Sequence, residues 1–289
     1  MHHVRSGWGR TGHEQMKKER IVITGAGSGL GRALALEYAR AGWRVAVLDR
    51  NRDSAEAVAR EVEEAGGRSL ALACDVTDAA GVGHVATAIA RGWRGLDVLV
   101  NNAGIAGAGT VAETPDDDWR RIMEVNLFGV VTVCRAFLPT MMRARSGHVV
   151  NVSSAAGFVS APGMAAYNAS KAAVISLSES LRVELAPQRI GVTVVCPSFF
   201  RTNLLEEFSG SEEARQMALR LMDKSPLDAV DVARMIRRAV QRKEFMLVPH
   251  ADARRILVLK RIAPELFFSA VKKRAAGFLA AQSGRGAHK

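Results

Sequence analysis

The sequence predicts one α/β domain, a parallel sheet wound on both sides by helices, followed by a basic helical tail. Three observations lead there. From residue 20 onward, short apolar runs alternate with helical stretches. The runs are continuously apolar, as strands covered on both faces are, and do not alternate as half-exposed strands do. Across 289 residues no internal repeat or linker divides the pattern, and a single α/β domain reaches this size.

Each element has its own warrant. Ile21, Val22 and Ile23 form a short strand that runs into a glycine turn, and residues 30–41 continue as helix. Residues 45–48 read as the next strand and 54–65 as the next helix, closed by Gly66-Gly67. Strand 69–73, helix 79–91 and strand 97–100 follow. A long helix spans 117–143, interrupted or ended near Pro139, whose ring removes a ladder hydrogen bond. Strand 148–152, helix 165–186 and strand 191–196 complete the rhythm. Right-handed crossovers between such strands give a doubly wound sheet. Residues 199–223 depart from the alternation, with aromatic, leucine and methionine side chains among charges. After a last strand at 245–248 comes a tail that Pro264 should divide into two helices. The expected organisation is a flexible extension at 1–18, a dinucleotide-binding and catalytic domain at 19–249, and a basic helical extension at 250–289.

Hydrophobic content of 48% and charged content of 24% are those of a soluble globular chain. The net charge of +11 raises nucleic acid as a partner, so its location matters. Residues 1–20 hold five Lys/Arg against two Glu, and residues 250–289 nine against two acids, leaving +1 for the body. The basicity lies in the ends, and no nucleic-acid partner is expected. No apolar run approaches the ~18 residues of a membrane span, and the N-terminus lacks a signal-peptide core. Cytoplasmic placement is the expectation. Met16 offers a natural start before the first strand, which makes residues 1–15 a loose extension. Cys74, Cys134 and Cys196 stand apart in apolar settings without metal-ligand spacing, so they read as buried thiols and no metal is expected.

The turn Thr24-Gly25-Ala26-Gly27-Ser28-Gly29-Leu30-Gly31 lies between a strand and a helix start. Glycine there allows tight turning and lets a phosphate approach the free N–H groups of the helix. The spacing is not the strict G-x-G-x-x-G, and a packing turn is the alternative. Asp49 closes the second strand, twenty residues after Gly29, where a carboxylate accepts from adenosine ribose hydroxyls. It would repel a 2′-phosphate and favours NAD; Arg50 pulls toward NADP, while Ser28 adds no positive charge.

Tyr167 and Lys171, at i and i+4, share one face of a helix. An ammonium beside a phenol stabilises phenolate and lowers its pKa from ~10 toward working pH. Tyr167 can then take an alcohol proton or return it to a carbonyl oxygen. Ser154, thirteen residues upstream of Tyr167, follows a strand at the carboxyl edge where open α/β sheets bind ligands. Ser153 is its neighbour; the spacing selects Ser154. Such a pair on a helix surface also arises without function, and the glycine turn, Asp49 and Ser154 in order are what make it meaningful.

With those residues in place, the chain resembles the short-chain dehydrogenase/reductases over about residues 19–249, and so a Rossmann-like fold. The resemblance includes Asp75-Val76, Asn101-Asn102-Ala103-Gly104 after the fourth strand, and Asn126 within Val125-Asn126-Leu127. It implies that Tyr167 is the acid/base, that Ser154 orients the reacting oxygen, and that Lys171 also contacts the nicotinamide ribose. It further implies adenine contacts at Asp75 and Val76, a water anchored by Asn126, and a nicotinamide contact at Thr202. Gly25, Ser28, Gly29, Leu30, Gly31, Asn102, Ala103, Gly104 and Pro197 complete the implied cofactor site. The family's Pro-Gly after the sixth strand is here Pro197-Ser198, which should alter the backbone beside the nicotinamide. Pairing through the helices at 117–143 and 165–186, as homodimer or homotetramer, is also implied.

The family covers its substrate with the segment after the sixth strand, here 198–223, whose apolar content points to a hydrophobic alcohol or ketone. Packing of that segment onto the body is the competing explanation. In the tail, basic clusters at Arg254-Arg255, Lys260-Arg261 and Lys272-Lys273-Arg274 border apolar residues. That pattern suits peripheral contact with an anionic membrane, a neighbouring subunit or the cleft. The expected activity is NAD(P)-dependent oxidoreduction of a secondary alcohol or ketone. The alternatives are a cofactor-binding sensor or scaffold on the same fold, and an epimerase, dehydratase or lyase.

Overall fold

The computed structural model describes residues 19–283, with the side chains of 19–273. The extension expected at 1–18 lies outside the described residues, as does the end of the tail. Seven strands form one parallel sheet: β1 (Arg20–Thr24), β2 (Arg44–Asp49), β3 (Arg68–Ala73), β4 (Val98–Asn101), β5 (Gly147–Val152), β6 (Ile190–Val195) and β7 (Met246–Leu247). Their spatial order is β3-β2-β1-β4-β5-β6-β7. The chain steps outward from β1 to β3 and then returns to set β4 beside β1, with Ile21 opposite both Val45 and Val98. That reversal opens a crevice at the carboxyl ends of β1 and β4, where such sheets bind ligands.

Alternation along each strand feeds two cores. Ile21 and Ile23 face one side, against α1 (Gly29–Ala39), α2 (Arg52–Glu64) and α9 (Ala229–Arg242), whose Leu34, Val58 and Ile236 are fully buried. Val22 faces the other side, toward α3 (Ala79–Trp93), α5 (Gly129–Ala144) and α7 (Ala165–Glu184) through Val82, Phe137 and Val174. Each such aliphatic or aromatic side chain contributes about 1.5–3 kcal/mol by leaving water. A half-buried ion pair ties the starts of β1 and β4 together: Arg20 donates to both Asp97 carboxylate oxygens at 2.8 and 3.0 Å. The sequence reading passed over α9. Its signal was present, since Asp228 and Asp231 close a reciprocal capping box before an amphipathic run.

The long helix is continuous where a break near Pro139 was expected. Pro139 sits inside α5, which is held to the sheet by the buried Val133, Phe137 and Met141. Those contacts outweigh one missing N–H. The irregularity comes earlier, where α4 (Asp116–Met123) passes into α5 through a π-turn at Glu124–Phe128. There the Gly129 N–H donates to the Glu124 carbonyl, five residues back. This combined helix is apolar and long enough to cross a membrane, yet its apolar side faces the sheet. The three cysteines are free and buried, and burial pushes the Cys134 and Cys196 thiols up to about 12 and the Cys74 thiol up to about 11.

Past β6 a 3-10 turn at Asn203–Leu205 and α8 (Glu212–Asp223) form a cover over the carboxyl edge. The tail is two helices, α10 (Ala251–Ile262) and α11 (Pro264–Ser283), divided just before Pro264 as expected. α10 packs on the short helix α6 (Ala156–Val159) through Ala253 and Leu257, which join Phe158, Val194 and Cys196 in a small core.

Candidate active site

A cleft of ≈ 670 Å³ opens at the carboxyl edge of the sheet, and residues as far apart as Gly25 and Glu207 line it. Its floor is the glycine turn. Gly25 and Gly29 adopt φ of 60° and 52°, the left-handed region where side chains are strained. A Cβ on Gly31 would stand 2.1 Å from the Gly25 carbonyl oxygen, so the turn and α1 must meet without one. Ser28 occupies the N-cap of α1 without bonding the helix through its side chain, which leaves the first-turn N–H groups open to an anion.

Two side chains brace this turn from neighbouring strands. Asn102, just past β4, donates its amide to the Thr24 and Gly25 carbonyls, each at 3.0 Å. Asp49, closing β2, accepts from the Gly27 N–H at 2.9 Å and the Asn51 N–H at 3.0 Å. Its carboxylate therefore shapes the turn and also lines the cleft. Asp75 and Val76 line the same end; Asp75 accepts from the Thr77 N–H and hydroxyl at 2.9 and 2.7 Å. Leu30, Ala103, Gly104, Pro197 and Thr202 also lie on the cleft wall. A glycine cradle, open helix N–H groups and a carboxylate at the end of β2 fit a dinucleotide laid across the crevice.

Tyr167 and Lys171 stand on α7 at the other end of the cleft, both buried. The Lys171 ammonium lies 5.7 Å from the centre of the Tyr167 ring and donates to the Val152 carbonyl at 3.2 Å. Burial pushes Lys171 down to about 8, the Cys196 sulfur opposing it. The phenol behaves differently from the sequence expectation. Burial pushes Tyr167 up to about 12, against a downward pull from the Ser154 hydroxyl. Desolvation is the larger effect on the phenol, and the Ser154 hydroxyl the smaller, opposing one.

The two serines separate by partner. Ser153 is buried and donates to the Lys171 backbone carbonyl at 2.7 Å. Ser154 is partly exposed to the cleft, accepts from the Ala156 N–H at 3.1 Å and lies 3.4 Å from the Pro197 carbonyl. Asn126 sits in the π-turn with 1% exposure, and its side-chain amide is fully used by protein partners. It accepts from the Ile105 N–H at 2.9 Å and donates to the Ile105 carbonyl and the Ser170 hydroxyl, both at 3.0 Å. Ser170 in turn donates to the Tyr167 carbonyl at 2.8 Å, so that Asn126 ties the β4 loop to the face of α7 that carries Tyr167 and Lys171.

Over Tyr167 the cover supplies Phe199, Leu204, Leu205 and Phe208, packed with Met222 of α8. The same side chains thus pack the cover and make an apolar wall beside the phenol. Two residues of the site escaped the sequence reading. Glu207 reaches from the cover to pair with both Arg50 and Arg121 across the cleft mouth. Arg50 is therefore already engaged by a carboxylate. His250, buried after β7, accepts from the Ser198 N–H at 3.1 Å and fixes the loop where Ser198 replaces the expected glycine. Neither carries a periodic or spacing signal; only the fold brings them near. Among the described residues no cluster of His, Cys, Asp or Glu suits a metal ion.

Comparisons with known proteins agree with this geometry. The family model for short chain dehydrogenases matches residues 19–213. The chain is 38% identical over 209 residues to a 3β-hydroxysteroid dehydrogenase of Mediterraneibacter gnavus, covering 72% of this chain and 75% of that one. It is 33% identical over 261 residues to mouse dehydrogenase/reductase SDR family member 7B, covering 88% and 80% respectively. A Burkholderia phymatum short chain dehydrogenase/reductase, solved in complex with NAD, superposes with a TM-score of 0.81 at 30% identity, covering 86% of this chain and 94% of that one.

Proposed function

Because the chain belongs to the short-chain dehydrogenase/reductase family, we propose that it moves hydride between a nicotinamide and a hydrophobic secondary alcohol or ketone, with Tyr167 as acid/base. The carrying observation is that Ser154, Tyr167 and Lys171 line one cleft with the glycine turn and Asp49. A nicotinamide dinucleotide held there supplies the hydride acceptor or donor. The glycine turn and α1 N–H groups would hold its phosphates and Asp49 would accept from its ribose. Asp75 and Val76 would hold the adenine and Thr202 the nicotinamide.

Ser154 holds the substrate oxygen against Tyr167. A phenol kept neutral by burial is ready to donate to a carbonyl oxygen in reduction. In oxidation Tyr167 must first lose its proton, and the Lys171 ammonium would stabilise the resulting phenolate. Asn126 acts through position, by fixing the face of α7 that carries Tyr167 and Lys171. The cover over Tyr167 excludes water and favours an apolar substrate. The steroid alcohol in the name of the Mediterraneibacter relative supports that class.

NAD is the preferred cofactor in this reading. Asp49 opposes a 2′-phosphate, and Arg50 beside it is drawn into an ion pair with Glu207, which also holds Arg121. The protein is read as cytoplasmic, pairing through α4–α5 and α7, where Phe128 and Val183 are 50% and 74% exposed. Titration with NADH and NADPH, in wild type and Asp49→Ala, tests the site. Tighter NADH binding that weakens or inverts in the variant is expected; binding of neither nucleotide refutes the proposal.

A further inference from the structure

α10 carries two apolar faces, and the fold needs only one. Ala253 and Leu257 are turned inward, onto Phe158, Val194 and Cys196. On the opposite side Ala251, Arg255, Val258 and Ile262 recur at i, i+4, i+7 and i+11, one helical stripe. Val258 and Ile262 are 56% and 76% exposed, and Leu266 and Phe268 of the next helix, α11, are exposed as well. Isolated exposed aliphatics are ordinary, but a helical stripe with further exposed apolar side chains on the following helix is a surface made for contact.

Charge decides what it contacts. Arg255, Arg261, Lys272 and Lys273 are exposed, with no ionic or hydrogen-bond partner among the described residues. Arg254 and Lys260 differ: Arg254 donates to the Val248 and Pro249 carbonyls, and Lys260 to the Phe158 carbonyl at 2.6 Å while lying over Phe267. Those two pin the tail to the body, while Arg255 stands within the stripe, Arg261 next to Ile262, and Lys272 and Lys273 farther on along α11. Residues 250–289 hold nine Lys/Arg against two acids, so a second copy meeting this face would bring like charge against like. An anionic bilayer meets both demands, since headgroups neutralise the cations while the acyl boundary takes the aliphatic side chains.

We infer that α10 and the first turns of α11 form a peripheral docking surface for an anionic membrane. The surface lies close to the chemistry. α10 rests on α6, which begins two residues after Ser154, and the Lys260–Phe158 bond joins them directly. Docking there sets the substrate end of the cleft beside the bilayer, the natural reservoir of a hydrophobic alcohol. The docking claim stands without the dehydrogenase reading; the consequence for substrate supply rests on it.

The test is cosedimentation of the full chain with phosphatidylcholine vesicles, with and without phosphatidylglycerol, at low and high salt. The variants are Val258→Asp/Ile262→Asp and Arg255→Glu/Arg261→Glu, all at exposed positions. NADH binding is measured separately in each, so that loss of fold or cofactor site is distinguished from loss of docking. Expected are binding to phosphatidylglycerol vesicles that weakens with salt, and at least tenfold weaker binding in both variants with NADH affinity unchanged. No vesicle binding, equal binding to phosphatidylcholine alone, or variants that bind like wild type overturns the inference. So does wild type that elutes as a larger species which Val258→Asp/Ile262→Asp dissociates, because the stripe then joins two copies.

Discussion

Replacing Asn126 by alanine separates positioning from chemistry at the centre of the site. The side chain makes three hydrogen bonds in a buried place: two to the Ile105 backbone and one to Ser170. Asn126→Ala leaves the Ile105 N–H and carbonyl without these partners, while Ser170 keeps its bond to Tyr167. Each unsatisfied buried group costs about 1–3 kcal/mol. The expected loss is about 2–6 kcal/mol, a large part of the ~5–15 kcal/mol typical of a domain. Urea unfolding followed by tryptophan fluorescence reads it, and NADH titration at low denaturant confirms that the folded fraction keeps its cofactor site. Asn126→Asp should fare no better, since it presents an acceptor to the Ile105 carbonyl. A loss below about 0.5 kcal/mol, with turnover reduced, would refute the clamp and return Asn126 to the role of a water anchor.

Three further outcomes follow from named contacts. Gly31→Ala places a methyl group against the Gly25 carbonyl, and unfolding should show a loss of at least about 1–3 kcal/mol with weakened nucleotide binding; unchanged stability contradicts the turn geometry. His148 is buried at 2.7 Å from the Thr193 hydroxyl, and burial pushes it down to about 4. Between that value and ~6.5 the unfolded chain binds more protons, so stability falls as pH drops through this window, by up to about 3 kcal/mol; His148→Gln should flatten the slope measured by urea unfolding. Glu207→Gln frees Arg50, so NADPH affinity should rise about tenfold, ~1.4 kcal/mol, relative to NADH, and an unchanged ratio denies Glu207 this part in cofactor choice.

What the sequence made legible is what local chemistry dictates. Continuous apolar strands such as Val45–Leu48, ended by Asp49, announce a covered parallel sheet. Gly25, Gly29 and Gly31 announce a turn that tolerates no side chain. Tyr167 and Lys171 share a face because four residues complete a helical turn. What stayed hidden depends on tertiary placement. The π-turn at Asn126 exists to bring its amide to Ile105, a partner 21 residues away. Pro139 misleads because local propensity yields to the buried neighbours Phe137 and Met141. The phenol of Tyr167 is raised by burial under the cover, and no spacing within α7 could reveal how deeply it lies. Glu207 and Arg50 are 157 positions apart and meet only because the cover folds over the cleft.

The central claim is that Tyr167 moves the proton while the rest of the site binds, and Tyr167→Phe tests it most directly. NADH affinity by nicotinamide fluorescence and oxidation of a hydrophobic secondary alcohol by nicotinamide absorbance are measured side by side in wild type and variant. The account predicts unchanged NADH affinity and a turnover lower by about 10²–10⁴-fold, the contribution of a positioned acid/base. A variant that binds NADH and turns over like wild type would contradict it.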